Sequence, residues 1–305
     1  MRRLLVLLLC VIALAVNPSN AQTPKPDVSS WTVNLYQDYS IMPNVTYATA
    51  ENADCKLDAY IRKNTTGPVP TVIHIHGGGW VGGSKETAIL GLLPYFEMGF
   101  TVINVEYRLA RVSLAPAAVE DCRQALRWVM KNAKTYNMDS TRIIVTGGSA
   151  GGHLALMTGM LDSAAGFDAS REWDQSLQPL KVAAIINWYG ITDVKDLLSG
   201  ANRQNYAVSW LGSLPNRNDL AVKMSPLTYV RKGLPPILTI HGDNDNLVPY
   251  AHAVRLHSAL DAAGVPNKLI TIPGGKHGGF TQEQMLQIYH TIREFLKTNG
   301  IISDR

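Results

Sequence analysis

Four kinds of residue in this chain have the chemistry and spacing for acyl transfer: a serine between glycines, a histidine between glycines, an aspartate after an apolar run, and a glycine triplet. The serine is Ser149, in Gly147-Gly148-Ser149-Ala150-Gly151-Gly152. The β-branched run Ile143 to Thr146 leads in and Leu154 to Met157 leads out, so the serine sits where a buried strand predicts a turn into a helix. Such an elbow strains its central residue and needs small neighbours. In return, the hydroxyl is presented at a helix N-terminus, where the dipole favours developing negative charge. A Gly-x-Ser-x-Gly match alone is a weak signal; the strand before it and the helix after it give it weight.

A serine hydroxyl needs a base, and the base needs an orienting partner. In a sheet of this kind the chain order is serine, acid, histidine. His241-Gly242-Asp243-Asn244-Asp245-Asn246-Leu247-Val248-Pro249 follows the apolar run Ile237 to His241. Two aspartates compete there. Asp245 is preferred because the His-Gly-x-x-Asp-x-x-Val-Pro pattern places the acid at that position, whereas Asp243 has the features of a turn-former bonding nearby backbone. Gly274-Gly275-Lys276-His277-Gly278-Gly279 follows the last apolar run. A histidine enclosed by glycines sits on a loop rather than in a core, and His277 is the expected base. His153, four residues beyond Ser149, would point away from it along the helix and is assigned to packing beneath the elbow. His74 and His241 lie within apolar runs and are expected in the core or in hydrogen bonds.

An oxyanion requires backbone donors. His76-Gly77-Gly78-Gly79-Trp80 closes the run Thr71 to His76, and its glycines let backbone N–H groups approach a substrate carbonyl. The triplet is the expected source of one donor, and Ala150, after the nucleophile, gives the other. Without the serine, the triplet would suggest only a flexible loop or a phosphate cradle. The Gly-x-x-x-x-Gly-Lys-[Ser/Thr] pattern of the latter is missing. Trp80, Trp188 and Tyr189 fall at strand ends on this face and are candidate substrate contacts, with core or rim packing as the alternative. No cluster has metal-ligand spacing, so neither a metal nor another cofactor is expected.

The elements that must hold these residues are legible as alternating runs. The runs at 71–76, 100–105, 143–146, 182–187, 237–241 and 269–272 have the continuous apolar character of strands buried on both faces. Helical periodicity appears between them, at Ala118 to Val129, Ala253 to Ala263 and Met285 to Leu296. This predicts an α/β fold with a mostly parallel sheet covered on both sides. Val45 to Tyr47 and the alternating Leu57, Ala59 and Ile61 predict an antiparallel edge. Residues 162–181 and 190–231 interrupt the alternation and are expected as insertions, the second as the main cap candidate.

With 305 residues and 46% hydrophobic content, one large domain is expected over 45–300. Arg2-Arg3, the apolar stretch Leu4 to Val16 and Ser19-Asn20-Ala21 have the layout of a signal peptide over 1–21. Residues 22–44 would be a lead-in, flexible over 22–30. Export to the periplasm or outside the cell follows, with no stable membrane anchor once the leader is removed. Without Arg2 and Arg3 the charge balance is 26 basic to 24 acidic residues, which excludes the basic footprint of a nucleic-acid binder. Cys55 and Cys122 could form a disulfide or remain buried thiols. The sequence leaves the oligomeric state open.

Together, His76 to Gly79, Gly147 to Gly152, Asp245, His277, Val105 to Ala110 and Asp121 to Trp128 resemble the α/β-hydrolase superfamily. Within it they resemble the hormone-sensitive-lipase-type esterases and the feruloyl- and acetylxylan-esterase-like group. The likeness spans about residues 45–300. It implies the α/β-hydrolase fold and a carboxylic ester hydrolase with Ser149 as nucleophile, His277 as base, Asp245 as orienting acid, and Gly78, Gly79 and Ala150 as the oxyanion hole. Small-molecule or polysaccharide-linked esters, acetyl or feruloyl, would be the substrates. Tyr107-Arg108 is family-like and is assigned a structural part. Nothing over 22–70 predicts the full N-terminal helical cap of the longer lipase-like forms, which favours the smaller group. His-Gly-Gly-Gly-Trp also resembles the arylformamidase motif, and peptidases share the triad. A non-catalytic binding protein on a hydrolase scaffold is the rival of another class, but such proteins generally lose the serine or histidine.

Overall fold

The computed structural model describes residues 28–168 and 180–303. The expected signal peptide and the centre of the 162–181 insertion lie outside the described residues. The chain belongs to the α/β-hydrolase fold: one eight-stranded sheet of order β1-β2-β4-β3-β5-β6-β7-β8. The strands are β1 (Tyr39–Ala50), β2 (Ala53–Arg62), β3 (Val69–Ile75), β4 (Thr101–Val105), β5 (Met138–Gly148), β6 (Ala184–Trp188), β7 (Ile237–Gly242) and β8 (Asn267–Ile272). β2 runs antiparallel to both neighbours, and β3 through β8 are parallel. The alternating residues of β2 made the antiparallel edge legible, and the unbroken apolar runs marked the parallel interior.

Both faces of the sheet are covered, as strands with apolar residues on both sides require. On one side α3 (Ala117–Asn132), α4 (Ala150–Met160) and α7 (Ala251–Ala262) bury Leu126, Leu154 and Leu256 against Ile73, Val145 and Ile185. On the other, α2 (Leu93–Glu97) and α8 (Gln282–Thr298) bury Tyr95, Ile288 and Ile292 against Val72, Ile144 and Ile186. Helix α8 begins with a capping box in which Thr281 and Gln284 satisfy each other's backbone N–H groups.

The structure corrects the expected lead-in. Residues 28–38 form helix α1, and β1 already begins at Tyr39 instead of Val45. The backbone rather than an apolar pattern makes this strand. β1 pairs with β2 along nearly its whole length, with bulges between Met42 and Val45 and between Thr46 and Ala48, and the bulges break the alternation that would have revealed it. Cys55 and Cys122 are buried thiols with no disulfide between them. Among the described residues, no helix is long and apolar enough to cross a membrane.

The insertion at 190–231 is built from short turns plus α5 (Asn205–Leu211) and α6 (Arg217–Lys223). Buried polar links fasten it to the body. The His252 ring takes the Thr192 N–H on one nitrogen and faces Asp196 Oδ2 at 3.1 Å with the other. The Thr192 hydroxyl donates to the His252 carbonyl.

Candidate active site

Ser149 lies between the end of β5 and the start of α4 with φ 58° and ψ −121°, the strained elbow expected from its glycine neighbours. Its N–H donates to the Trp188 carbonyl at 2.9 Å, tying the elbow to the end of β6. The glycines are sterically required here. A side chain at Gly147 would strike the Ile75 carbonyl, and one at Gly151 would strike the carbonyls of Ile75 and His76.

The glycine loop after β3 runs beside the elbow. A Cβ on Gly77 would stand 2.8 Å from the Gly148 carbonyl and 3.6 Å from the Ser149 Cβ. Gly78, Gly79 and Trp80 all have positive φ. The Gly78 carbonyl accepts from the N–H groups of Val81 and Gly82, closing the loop into a tight turn. Ala150 is buried at the first turn of α4. Among the described residues, the N–H groups of Gly78, Gly79 and Ala150 have no protein acceptor. They are unspent donors placed next to a serine hydroxyl.

His277 stands on the loop after β8, and its Nδ1 is 2.7 Å from Asp245 Oδ2. The other carboxylate oxygen accepts the N–H groups of Leu247 and Val248 at 2.8 and 3.0 Å. Burial alone would raise the Asp245 pKa. Hydrogen bonds from His241, His277 and the Val248 N–H outweigh it and hold the carboxyl well below the ordinary carboxylate range. An ionised Asp245 fixes the proton of His277 on Nδ1 and leaves Nε2 with its lone pair. Of the two aspartates, Asp245 is the one that faces His277. Asp243 is an exposed residue whose carboxylate accepts the Gly274 N–H at 2.7 Å. It acts on backbone, as expected, but on the distant loop that carries His277.

Ser149 and His277 line one cavity of about 600 Å³ together with Gly77, Gly78 and Gly79. Its remaining wall includes Tyr189, Leu247 and Tyr206, the last supplied by α5 of the 190–231 insertion. The Tyr206 ring lies over Gly79, and its hydroxyl donates to the Leu247 carbonyl at 3.0 Å. The insertion therefore covers part of the site.

The three aromatic candidates separate. Trp80 is not a substrate contact: it is wholly buried, stacked on Trp210 at 4.0 Å, and its indole N–H donates to His153 Nδ1 at 3.2 Å. The positive φ of Trp80 turns its ring from the cleft into the core. Trp188 is half-buried and lines a second, neighbouring cavity rather than the one holding Ser149. Tyr189 lines both cavities. His153 lies beneath the elbow as expected. It takes the Trp80 N–H and donates from Nε2 to the Met224 carbonyl at 2.7 Å, and burial lowers its pKa to about 4. Tyr107 and Arg108 are structural: the Tyr107 hydroxyl donates to the His76 carbonyl, and Arg108 pairs with the buried Asp121.

The sequence places His241 only in the core or in hydrogen bonds, and the structure also sets it against Asp245. Its Nε2 stands 3.0 Å from the Val248 carbonyl and 3.2 Å from Asp245 Oδ2. Both neighbours are acceptors, so this nitrogen carries the proton. The i,i+4 spacing of His241 and Asp245 across a strand end was the available signal.

The BD-FAE family model matches residues 57–260. The chain belongs to the BD-FAE family. Esterase LipQ of Mycobacterium tuberculosis is 28% identical over 222 residues, spanning 68% of this chain and 50% of LipQ. The chain spans about half the length of the curated relatives it matches. Among solved structures, a truncated carbohydrate esterase from gut microbiota superposes with a TM-score of 0.72 at 28% identity, covering 86% of this chain and 97% of that one. The propionate-bound esterase Est2 of Thermogutta terrifontis superposes with a TM-score of 0.71 at 25% identity, covering 88% and 97%.

Proposed function

We propose that this BD-FAE family member is an exported serine hydrolase that cleaves carboxylic esters through an acyl-enzyme, with Ser149 as nucleophile, His277 as general base and Asp245 as its orienting acid. One observation carries this reading: the imidazole held 2.7 Å from Asp245 opens into the same cavity as Ser149, beside three unspent backbone donors. His277 Nε2 takes the Ser149 proton as Oγ attacks the ester carbonyl. The carbonyl oxygen becomes an oxyanion, received by the N–H groups of Gly78, Gly79 and Ala150. Collapse of the tetrahedral adduct expels the alcohol, which leaves with the proton from His277. A water, deprotonated by the same nitrogen, then releases the acid and restores Ser149. A buried anion at Asp245 stabilises the imidazolium formed in each half-reaction.

Small or carbohydrate-linked esters, acetyl or feruloyl, are the proposed substrates. The carbohydrate-esterase neighbour and a cavity partly open to solvent support this class. Export is proposed from the charged, apolar and small-residue order of positions 1–21. The test is hydrolysis of p-nitrophenyl acetate, methyl ferulate and N-formylkynurenine by wild type and Ser149→Ala. Serine-dependent turnover of either ester supports the reading. Turnover of the formamide alone, or ester turnover that survives Ser149→Ala, contradicts it. N-terminal sequencing of the protein recovered from the periplasm or medium tests export, expecting a mature start at Gln22.

A further inference from the structure

The cavity holding Ser149 has a neighbour of about 230 Å³, lined by Tyr95, Trp188, Phe280, Met285 and Tyr289. The two cavities share three wall residues: His74, Gly148 and Tyr189. Of these, only Tyr189 presents a large ring beside the nucleophile. Its seat is built for it. A Cβ on Gly148 would stand 3.3 Å from the Tyr189 ring and hydroxyl, and one on Gly278 would stand 3.2 Å from that hydroxyl. The ring packs 4.7 Å from the His277 ring and 6.0 Å from Phe280. The Tyr189 backbone takes φ 39°, an uncommon conformation for a residue with a large side chain, and its N–H is fixed to the Ile240 carbonyl at 2.7 Å. Strain of this kind persists only where the surroundings impose it.

We propose that Tyr189 is a specificity-determining partition, which keeps the aromatic-walled cavity from joining the Ser149 cavity and so, of the two proposed acyl classes, favours acetyl over feruloyl. This rests on Ser149 being the nucleophile. With the ring in place, an acyl group at Ser149 meets Tyr189 before it can reach Trp188 or Tyr289. With the ring removed, a flat apolar acyl group would enter the second cavity and bury its faces against those aromatics.

His74 makes the second cavity more than a greasy slot. Asn104 Nδ2 donates to the Lys85 carbonyl, so its Oδ1 is the atom facing His74 Nδ1 at 2.9 Å, and that nitrogen is the donor. The remaining nitrogen of this neutral ring is an acceptor on a side chain that lines both cavities. A ring bearing a hydroxyl therefore gains a partner in the joined space that an unsubstituted ring does not.

The experiment compares kcat/KM for p-nitrophenyl acetate, benzoate and 4-hydroxybenzoate in wild type, Tyr189→Ala, Tyr189→Phe and Tyr189→Ala/Met285→Trp, with thermal unfolding as the fold control. Tyr189→Ala should raise the aromatic-to-acetyl ratio at least about tenfold. Tyr189→Phe should leave it unchanged, and refilling the second cavity with Met285→Trp should cancel the gain. A ratio unmoved by Tyr189→Ala in a folded protein, or a gain that survives Met285→Trp, overturns the proposal. Fluorophosphonate labelling of each variant separates the two levels: loss of labelling in wild type would fail the nucleophile assignment, whereas intact labelling with an unmoved ratio fails only the partition.

Discussion

Of the histidines near Ser149, His153 and His277 have surroundings that could hardly differ more. His153 is fully buried one helical turn beyond the nucleophile, with both ring nitrogens committed to Trp80 and Met224. His277 is more than a hundred residues away in sequence, half-buried at the edge of a cavity, with one nitrogen on a carboxylate and the other turned to that cavity. Desolvation holds the first neutral with a pKa near 4, and no anion compensates. The second is not isolated in this way: its Nδ1 faces the Asp245 carboxylate at 2.7 Å. Nearness in sequence thus says little about which imidazole is the base; a carboxylate partner and an open second nitrogen decide it.

Removing His277 should break the contrast most sharply. His277→Ala is expected to lower kcat on p-nitrophenyl acetate by about 10⁴–10⁶-fold with little change in thermal stability, since losing the base in serine hydrolases costs of that order. Asp245→Asn should follow at about 10⁴-fold, because the amide can donate to Nδ1 and stabilise the wrong tautomer. It also deletes the acceptor shared with His241, so its melting temperature should fall as well.

The opposite signature is expected at His153. His153→Leu leaves the Trp80 N–H and the Met224 carbonyl without partners in the core, which costs about 1–3 kcal/mol for each group. Denaturant unfolding should show this loss, while kcat at permissive temperature falls far less than in His277→Ala. A kcat loss matching that of His277→Ala would erase the distinction drawn here.

Acid should expose His153 in a further way. Its folded pKa of about 4 lies below the ordinary value, so the unfolded chain binds more protons between about pH 4 and 6.5. Stability therefore rises with pH through that window and falls as pH drops through it, by up to about 3 kcal/mol. Urea unfolding at pH 7 and pH 4.5 should show a smaller difference in His153→Gln than in wild type. The smallest effect is expected from Trp188→Phe, which keeps an aromatic wall on the second cavity and should change acetate turnover by less than about threefold.

Much of this was legible before any coordinates. The elbow could be found because its strain demands glycines at 147 and 151, and sterics write themselves into sequence. Asp245 and His277 stand out as candidates because each follows an apolar strand. For Trp80 the sequence leaves substrate contact and core packing both open, because its place at a strand end is visible whereas its positive φ and its stacking on Trp210 are not. Tyr206 could not be placed over Gly79, because that contact depends on how an irregular insertion folds back. The first half of β1 escaped for another reason: bulges and an exposed edge leave no period to detect.

The central claim is that His277 activates Ser149. Intact-mass kinetics with a fluorophosphonate test it most directly. The account expects one adduct on the peptide carrying Ser149, none in Ser149→Ala, and labelling slowed by orders of magnitude in folded His277→Ala but nearly unchanged in folded His153→Gln. Labelling of another residue, or equal rates in wild type and His277→Ala, would contradict it.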